Sequence, residues 1–330
     1  MKTPSIWITI GKRGFSEKNF LDLIRPDIDG IRINTGRSAY SWIYDTLEFY
    51  KMHDYPTENI LLDIGNTKPR LSLLDKKSIS INAGDLFTVS DSNKNSGIDA
   101  WLPNRQFFLE ICKEDTIYFG DGEIECSVKD IQEHTIVLVS TTSGIISDSV
   151  AIGIKGKNYF HFNISDDEVR EVNSLLNRFP MRLILSFVEN GENIEWAKQR
   201  FPNAVSIIPK IETAAAVDNI DGILELSDCI FIGRGDLGLS VGIERIAIIQ
   251  EILLQKAHQL GCKVSIGTGT LDSLKWSEVP LRAEIVDVTN SCLKGMDTIV
   301  LTSETGGSLE PFKAINYLEK VLNYIKKIEK

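Results

Sequence analysis

Short β-branched runs alternate with amphipathic stretches along this chain. The runs are "SIWITI" at 5–10, "GIRIN" at 30–34, "NILLD" at 59–63, "RLILSFV" at 182–188, "AVSIIPKI" at 204–211, "CIFIG" at 229–233, "KVSIG" at 263–267 and "DTIVLT" at 297–302. Each is nearly continuous in apolar residues, as expected of strands buried on both faces of a parallel sheet. Between them "YSWIYDTLEFYKMH", "ENIEWAKQRF", "ERIAIIQEILLQKAHQLG" and "PLRAEIVDVTNSCLKG" carry helical periodicity, and the last two end in the glycine that closes many helices. Eight strand-then-helix units predict a (β/α)8 barrel of the α/β class.

Residues 71–155 break this rhythm. "LSLLDKKSISINAGDLFTVSD", "DTIYFGDGEIECSVKDI" and "TIVLVSTTSGIISDSVAIGI" alternate in twos around Gly and Asp turns, so the region reads as an all-β insertion. Removing it leaves about 245 residues, close to the ~250 typical of such a barrel. The expected organisation is a barrel from 1–70 and 156–330, with a small β lid of 71–155 inserted after the third strand.

Composition narrows the function. A chain of 330 residues, 42% hydrophobic and 25% charged, supports a large core, and its net charge of −10 with no basic stripe argues against nucleic acid as a partner. A small anionic substrate stays open, because local charge governs a cleft. No segment approaches 18 uncharged apolar residues and no signal peptide opens the chain, so no membrane is expected and a cytoplasmic location is. Five cysteines without metal-like spacing read as small buried hydrophobes, and His134, His161 and His258, with no partner logic in the sequence, as surface or lid residues.

The chemistry lies where the strands end. Arg32 and Asn34 end the second strand, Asp63 the third, and Ser186 lies near the end of the fourth; Lys210 and Glu212 end the fifth. Asp236 follows the sixth in "GRGDLG", Thr268 the seventh, and Ser303 with Glu304 the eighth. In a parallel barrel these converge on one mouth. Glu212 and Asp236 beside a lysine suit a hard cation such as Mg²⁺ or Mn²⁺, completed by substrate and water. The "RGDLG" amides at a helix start suit an anion. A buried ion pair would account for Lys210 with either carboxylate taken singly, and a cap for Thr268; the joint pattern favours a site. Thr289, Asn290 and Glu304 read as structural.

These residues carry a resemblance. "IIPKIETAAAVDNIDGILELSD" with "IFIGRGDLGLSVGIERIAIIQEIL" resembles the pyruvate kinase signature and the segment after it. "LSFVENGENI", "RINTGRSAY", "WITIGKRG" and "PLRAEIVDVTNSCLKGMDTIVLTSET" resemble further blocks of that family in the same order, and "DTIYFGDGEIECSV" is similar to its lid strands. The resemblance implies metal-assisted phosphoryl transfer between phosphoenolpyruvate, or an analogue, and a nucleoside diphosphate. Lys210 then stabilises the phosphoryl group and the enolate, and Glu212 and Asp236 hold the divalent ion. Arg32 binds phosphate, and Thr268 lies by the carbon that takes a proton. Gly235 and Asp236 cradle the substrate carboxylate, with Ser186 beside them. Arg70, Asn34 and Arg37 fall on the nucleotide and phosphate side, and ADP or ATP is the implied partner.

Several positions depart from the family pattern. The first loop reads Lys12, Arg13, Gly14 where the family has Pro and Ser, and Gly36 and Arg37 replace its Ser and His. In the monovalent-cation region of Asn34 and Asp63, Lys68 stands where potassium-independent members carry lysine, so activity is expected without K⁺. Val150 replaces the nucleotide-contacting lysine, with Lys155 or Lys157 as substitutes, and Gly269 and Thr270 replace Gln and Met beside Thr268. The chain stops soon after the eighth barrel helix, so no regulatory domain and no sugar-phosphate control are expected; a homodimer through barrel surfaces is the favoured assembly. Two alternatives stand beside the kinase: a metal-dependent lyase, aldolase or decarboxylase acting on a larger 2-oxo acid through the same enolate, and a non-catalytic binding or regulatory protein.

Overall fold

In a computed structural model, residues 3–328 are described except 13–21, 24, 26–27, 66–67, 121 and 157–160. Arg13, Gly14 and Lys157 therefore lie outside the described residues. The chain forms two compact units, one of 1–66, 161–238 and 244–330, the other of 67–160 and 239–243.

The first unit is a closed eight-stranded barrel. Its strands are β1 (Ser5–Ile10), β2 (Gly30–Asn34), β3 (Ile60–Ile64), β4 (Arg182–Leu185), β5 (Ser206–Ile211), β6 (Cys229–Gly233), β7 (Lys263–Gly267) and β8 (Thr298–Leu301). All neighbours pair in parallel, and β1 closes the ring on β8 with Ser5 opposite Thr298. The apolar runs thus become barrel strands because each buries both faces, inward on the barrel core and outward on the helices. Strand β4 is shorter than its apolar run: the chain turns at Phe187, whose φ of 57° no strand accommodates. The glycines expected to close two helices do so in left-handed conformation, Gly261 at φ 71° and Gly295 at φ 95°.

Alternation along the strands explains the barrel interior. Trp7, Leu61, Ile184, Ile208, Phe231 and Val300 form one buried cluster. Gly30 makes room for it, since a Cβ there would stand 2.6 Å from both Trp7 Cδ1 and Leu61 Cδ1. Side chains two residues apart share a face, so the residues following this apolar layer inside the barrel are Thr9, Asp63, Ser186, Lys210, Gly233 and Thr302. The next layer towards the carboxyl ends is polar.

The second unit has a six-stranded sheet and a two-stranded one. Its core gathers Phe87, Phe107, Phe108, Ile117 and Phe119 among others. It is not purely β: Arg105–Glu110 is helical, capped by the Asn104 side chain, which accepts from the Phe107 amide at 2.9 Å. The adjacent Phe107 and Phe108, both buried, gave no period-two alternation to distinguish from a strand end.

One compositional expectation needs correction, and one gains detail. Cys112 is exposed and Cys229 only partly buried, rather than both buried. The three histidines have acidic partners: His134 Nδ1 lies 3.1 Å from Asp91, His161 Nδ1 2.9 Å from Glu189, and His258 Nε2 3.0 Å from Asp297. These are long-range pairs that local spacing does not reveal. Among the described residues no helix is long and apolar enough to cross a membrane.

Candidate active site

The polar layer above the apolar plug is a network of paired charges. Asp63 stands at its centre: Arg32 donates to Oδ2 from Nε at 2.8 Å and from Nη2 at 2.5 Å, and Ser186 Oγ donates to Oδ1 at 2.9 Å. Lys210 Nζ lies 3.4 Å from Asp63 Oδ2, 3.5 Å from Ser186 Oγ and 2.9 Å from Glu212 Oε1. The remaining Arg32 nitrogen donates to Thr9 Oγ1 at 2.9 Å. Phe231 forms the floor, with its ring centroid 5.8 Å from both cationic heads.

Glu212 is held from three directions. Besides Lys210, the Phe187 amide donates to its Oε2 at 3.1 Å. That amide is aimed by the left-handed turn that ends β4, a strained position of a kind that concentrates at functional sites. On the adjacent strand β6 Gly233 leaves the space the carboxylate fills, for a Cβ there would stand 2.8 Å from Glu212 Oε1.

The electrostatics of this layer are unbalanced. Burial would raise the Asp63 carboxyl, but Lys210 and Arg32 hold it below the ordinary range. Burial would likewise lower Lys210, and the charges of Asp63 and Glu212 overcome it, keeping the ammonium charged. Glu212 is pushed up to about 7, by burial first and then by the charges of Asp236 and Asp63 against the pull of Lys210. Three carboxylates thus face two cations.

Asp236 sits half-buried in the first turn of the helix Arg234–Val241, near enough for its charge to act on both Lys210 and Glu212. Gly235 precedes it in the same turn. Thr268 follows β7 with φ 71°, and Gly269 continues the left-handed turn at φ 68°. The structure therefore brings Arg32, Asp63, Ser186, Lys210 and Glu212 into one bonded cluster with Asp236 beside it, and sets Thr268 and Gly235 on the neighbouring strand ends.

Asn34 ends β2 opposite Asp63 in register. Arg37 is exposed at the end of the short 3-10 turn Thr35–Arg37. Lys68 and Arg70 belong to the second unit, where Arg70 Nη1 donates to the Ser149 carbonyl at 2.7 Å. There Val150 packs on the unit's core and Lys155 is paired with Glu125 at 2.6 Å.

Two features were not legible beforehand. Glu168 Oε1 accepts from Thr35 Oγ1 at 3.1 Å, from Tyr40 OH at 3.4 Å and from the Gly65 amide at 3.3 Å, tying the loops after β2 and β3. It lies over 100 residues away in sequence from those loops, beyond any local signal.

The other is Glu304. Its Oε2 accepts from the Thr302 amide at 2.9 Å and hydroxyl at 3.1 Å, as a capping role requires, but Oε1 is buried without a hydrogen bond. Burial and then Asp272 raise its carboxyl from 4.5 to about 7. Folded Glu304 thus keeps its proton where the unfolded carboxyl has lost it, so its contribution to stability falls as pH rises from 4.5 to about 7. Glu304→Gln should flatten thermal stability against pH across that window by on the order of 3 kcal/mol. Parallel wild-type and variant curves would remove the assignment.

Among the described residues no three His, Cys, Asp or Glu side chains form a metal site by themselves. Glu212 and Asp236 are still the right donors for a hard cation that draws its other ligands from substrate and water. The surplus negative charge and the raised Glu212 carboxyl are what a divalent ion would relieve.

Residues 1–315 match the family model "Pyruvate kinase, barrel domain". The pyruvate kinase of Pyrobaculum aerophilum is 28% identical over 91% of this chain and 68% of its own length, and that of Thermotoga maritima 27% over 97% and 70%. Among solved structures, the P. aerophilum pyruvate kinase superposes with a TM-score of 0.75 at 25% identity, covering 98% of this chain and 73% of that one. A pyruvate kinase from Cryptosporidium parvum gives 0.78 at 26%, covering 97% and 68%. With the family model spanning nearly the whole chain and the barrel mouth carrying its charged layer, the chain belongs to the pyruvate kinase family.

Proposed function

We infer that the protein is a pyruvate-kinase-type phosphotransferase, moving a phosphoryl group between phosphoenolpyruvate and a nucleoside diphosphate by way of the pyruvate enolate. The observation that carries this reading is the Lys210 ammonium, kept charged between Asp63 and Glu212 at the barrel mouth. A cation fixed before substrate arrives stabilises charge that develops on oxygen without reorganising in the transition state.

Each residue then has a task. Lys210 and Arg32 attract the phosphoryl group, with Asp63 and Ser186 holding both cations in place. The amides of Gly235 and Asp236, at a helix start, receive the substrate carboxylate. Phe187 and Gly233 fix Glu212. After transfer, the enolate's electron pair takes a proton at C3, beside Thr268. A divalent ion, Mg²⁺ or Mn²⁺, bound by Glu212 and Asp236 would supply further positive charge to the enolate and phosphate oxygens. On the nucleotide side Arg70, Asn34 and Arg37 are the candidates.

K⁺ independence is part of the proposal. Asp63 spends its oxygens on Arg32, Lys210 and Ser186, and Gly36 offers no side-chain ligand. ATP formation from phosphoenolpyruvate and ADP with Mg²⁺ should proceed equally in Na⁺ and K⁺ buffers. No ATP in either would refute the phosphotransferase reading, while ATP in K⁺ alone would refute only the K⁺ independence.

A further inference from the structure

Arg234 opens the helix that carries Gly235 and Asp236, yet its side chain serves the neighbouring strand end. Its Nε donates to the Thr268 carbonyl at 3.0 Å, and its Nη1 pairs with Asp287 Oδ2 at 2.7 Å. The Arg234 side chain is only 10% exposed, and Asp287 lies on the helix Arg282–Leu293, which follows the Thr268 loop. Arg234 thus fixes three segments to one another: the start of its own helix, the turn after β7, and the next barrel helix.

The turn needs such a restraint. Thr268 is β-branched and left-handed at φ 71°, a conformation that costs on the order of 1–3 kcal/mol and persists only where the surroundings impose it. Gly269 continues the turn at φ 68° with no atom within 4 Å of where a Cβ would stand, so packing there does not impose it. The carbonyl between these two left-handed residues is the one Arg234 holds.

We propose that Arg234 is a positioning residue for Thr268: by holding the Thr268 carbonyl, and being held by Asp287, it keeps the threonine in the turn that presents its hydroxyl to the carbon taking the proton. The inference rests on the functional reading above. Its consequence is selective. Loss of the Arg234 bond releases the proton-transfer side of the site, while Lys210, Arg32 and Glu212 keep their own partners.

The test compares two rates in wild type, Arg234→Met, Arg234→Lys and Asp287→Asn: ATP formation from phosphoenolpyruvate and ADP, and exchange of pyruvate C3 protons with deuterium, both with Mg²⁺. In Arg234→Met, exchange should fall roughly 10- to 100-fold more than ATP formation. Arg234→Lys, which keeps a cation but not the forked geometry, should fall between it and wild type. Asp287→Asn, at a half-exposed position away from the reacting atoms, should shift the ratio in the same direction by less, and keeps the test informative if Arg234→Met does not fold. With an active wild type, equal loss of both rates in the variants, leaving their ratio unchanged, would overturn the inference alone. A wild type that neither forms ATP nor exchanges protons would overturn the functional reading and this inference with it.

Discussion

Lys210→Met should lower ATP formation by roughly 10³-fold or more, the scale on which removal of a preorganised charge from a transition state is felt. Methionine keeps most of the side-chain volume over Phe231 but takes away the ammonium that lies 2.9 Å from Glu212 and 3.4 Å from Asp63. Asp63 then keeps Arg32 as its cation, while Glu212 loses the ion pair with Lys210. Breaking a buried pair in this way costs about 3–5 kcal/mol in stability, so the variant should melt earlier while keeping its circular dichroism spectrum. Mg²⁺ should recover part of the stability and none of the activity, because an ion at Glu212 and Asp236 relieves the carboxylates without replacing Lys210. Turnover within a few-fold of wild type in a folded variant would remove Lys210 from the mechanism.

Glu212→Gln is the second large effect. Lys210 bonds Oε1 and the Phe187 amide donates to Oε2, so the single oxygen of a glutamine keeps only one of the two, and a charged donor for a cation is lost. Turnover should fall roughly 10²- to 10³-fold. Stability gives a readout independent of turnover: Mg²⁺ with phosphoenolpyruvate should raise the wild-type melting temperature through binding to the folded state and raise the variant's little. An equal rise in both proteins would place the ion elsewhere.

Much of this architecture is written in local pattern. The eight strands announce themselves as β-branched runs because a parallel strand buries both faces, and the polar residue at each carboxyl end stands out against that background. Lys210 and Glu212 are legible for the same reason: two charges end an otherwise apolar strand, and alternation from Ile208 places both inside the barrel.

What stayed hidden depends on backbone conformation or distant partners. Nothing in "RLILSFV" shows that Phe187 turns left-handed and aims its amide at Glu212, or that β4 stops at Leu185. Glu304 read as structural, and its Oε2 does bond Thr302; its buried Oε1 and its proximity to Asp272 arise only when β8 meets the segment after β7. Arg234 lay within a recognised motif, but its bonds to Thr268 and Asp287 reach 34 and 53 residues away. Helical Arg105–Glu110 was missed because 6 residues, under two turns, are too few to show a period.

The most direct measurement of the central claim is an NMR time course of phosphoenolpyruvate and ADP with the protein and Mg²⁺ in D₂O, following ATP and the pyruvate methyl group together. A phosphotransferase working through an enolate gives ATP and pyruvate in equal amounts, the pyruvate carrying deuterium at C3. Phosphoenolpyruvate left unconsumed, with added pyruvate nevertheless exchanging its methyl protons, would contradict the account.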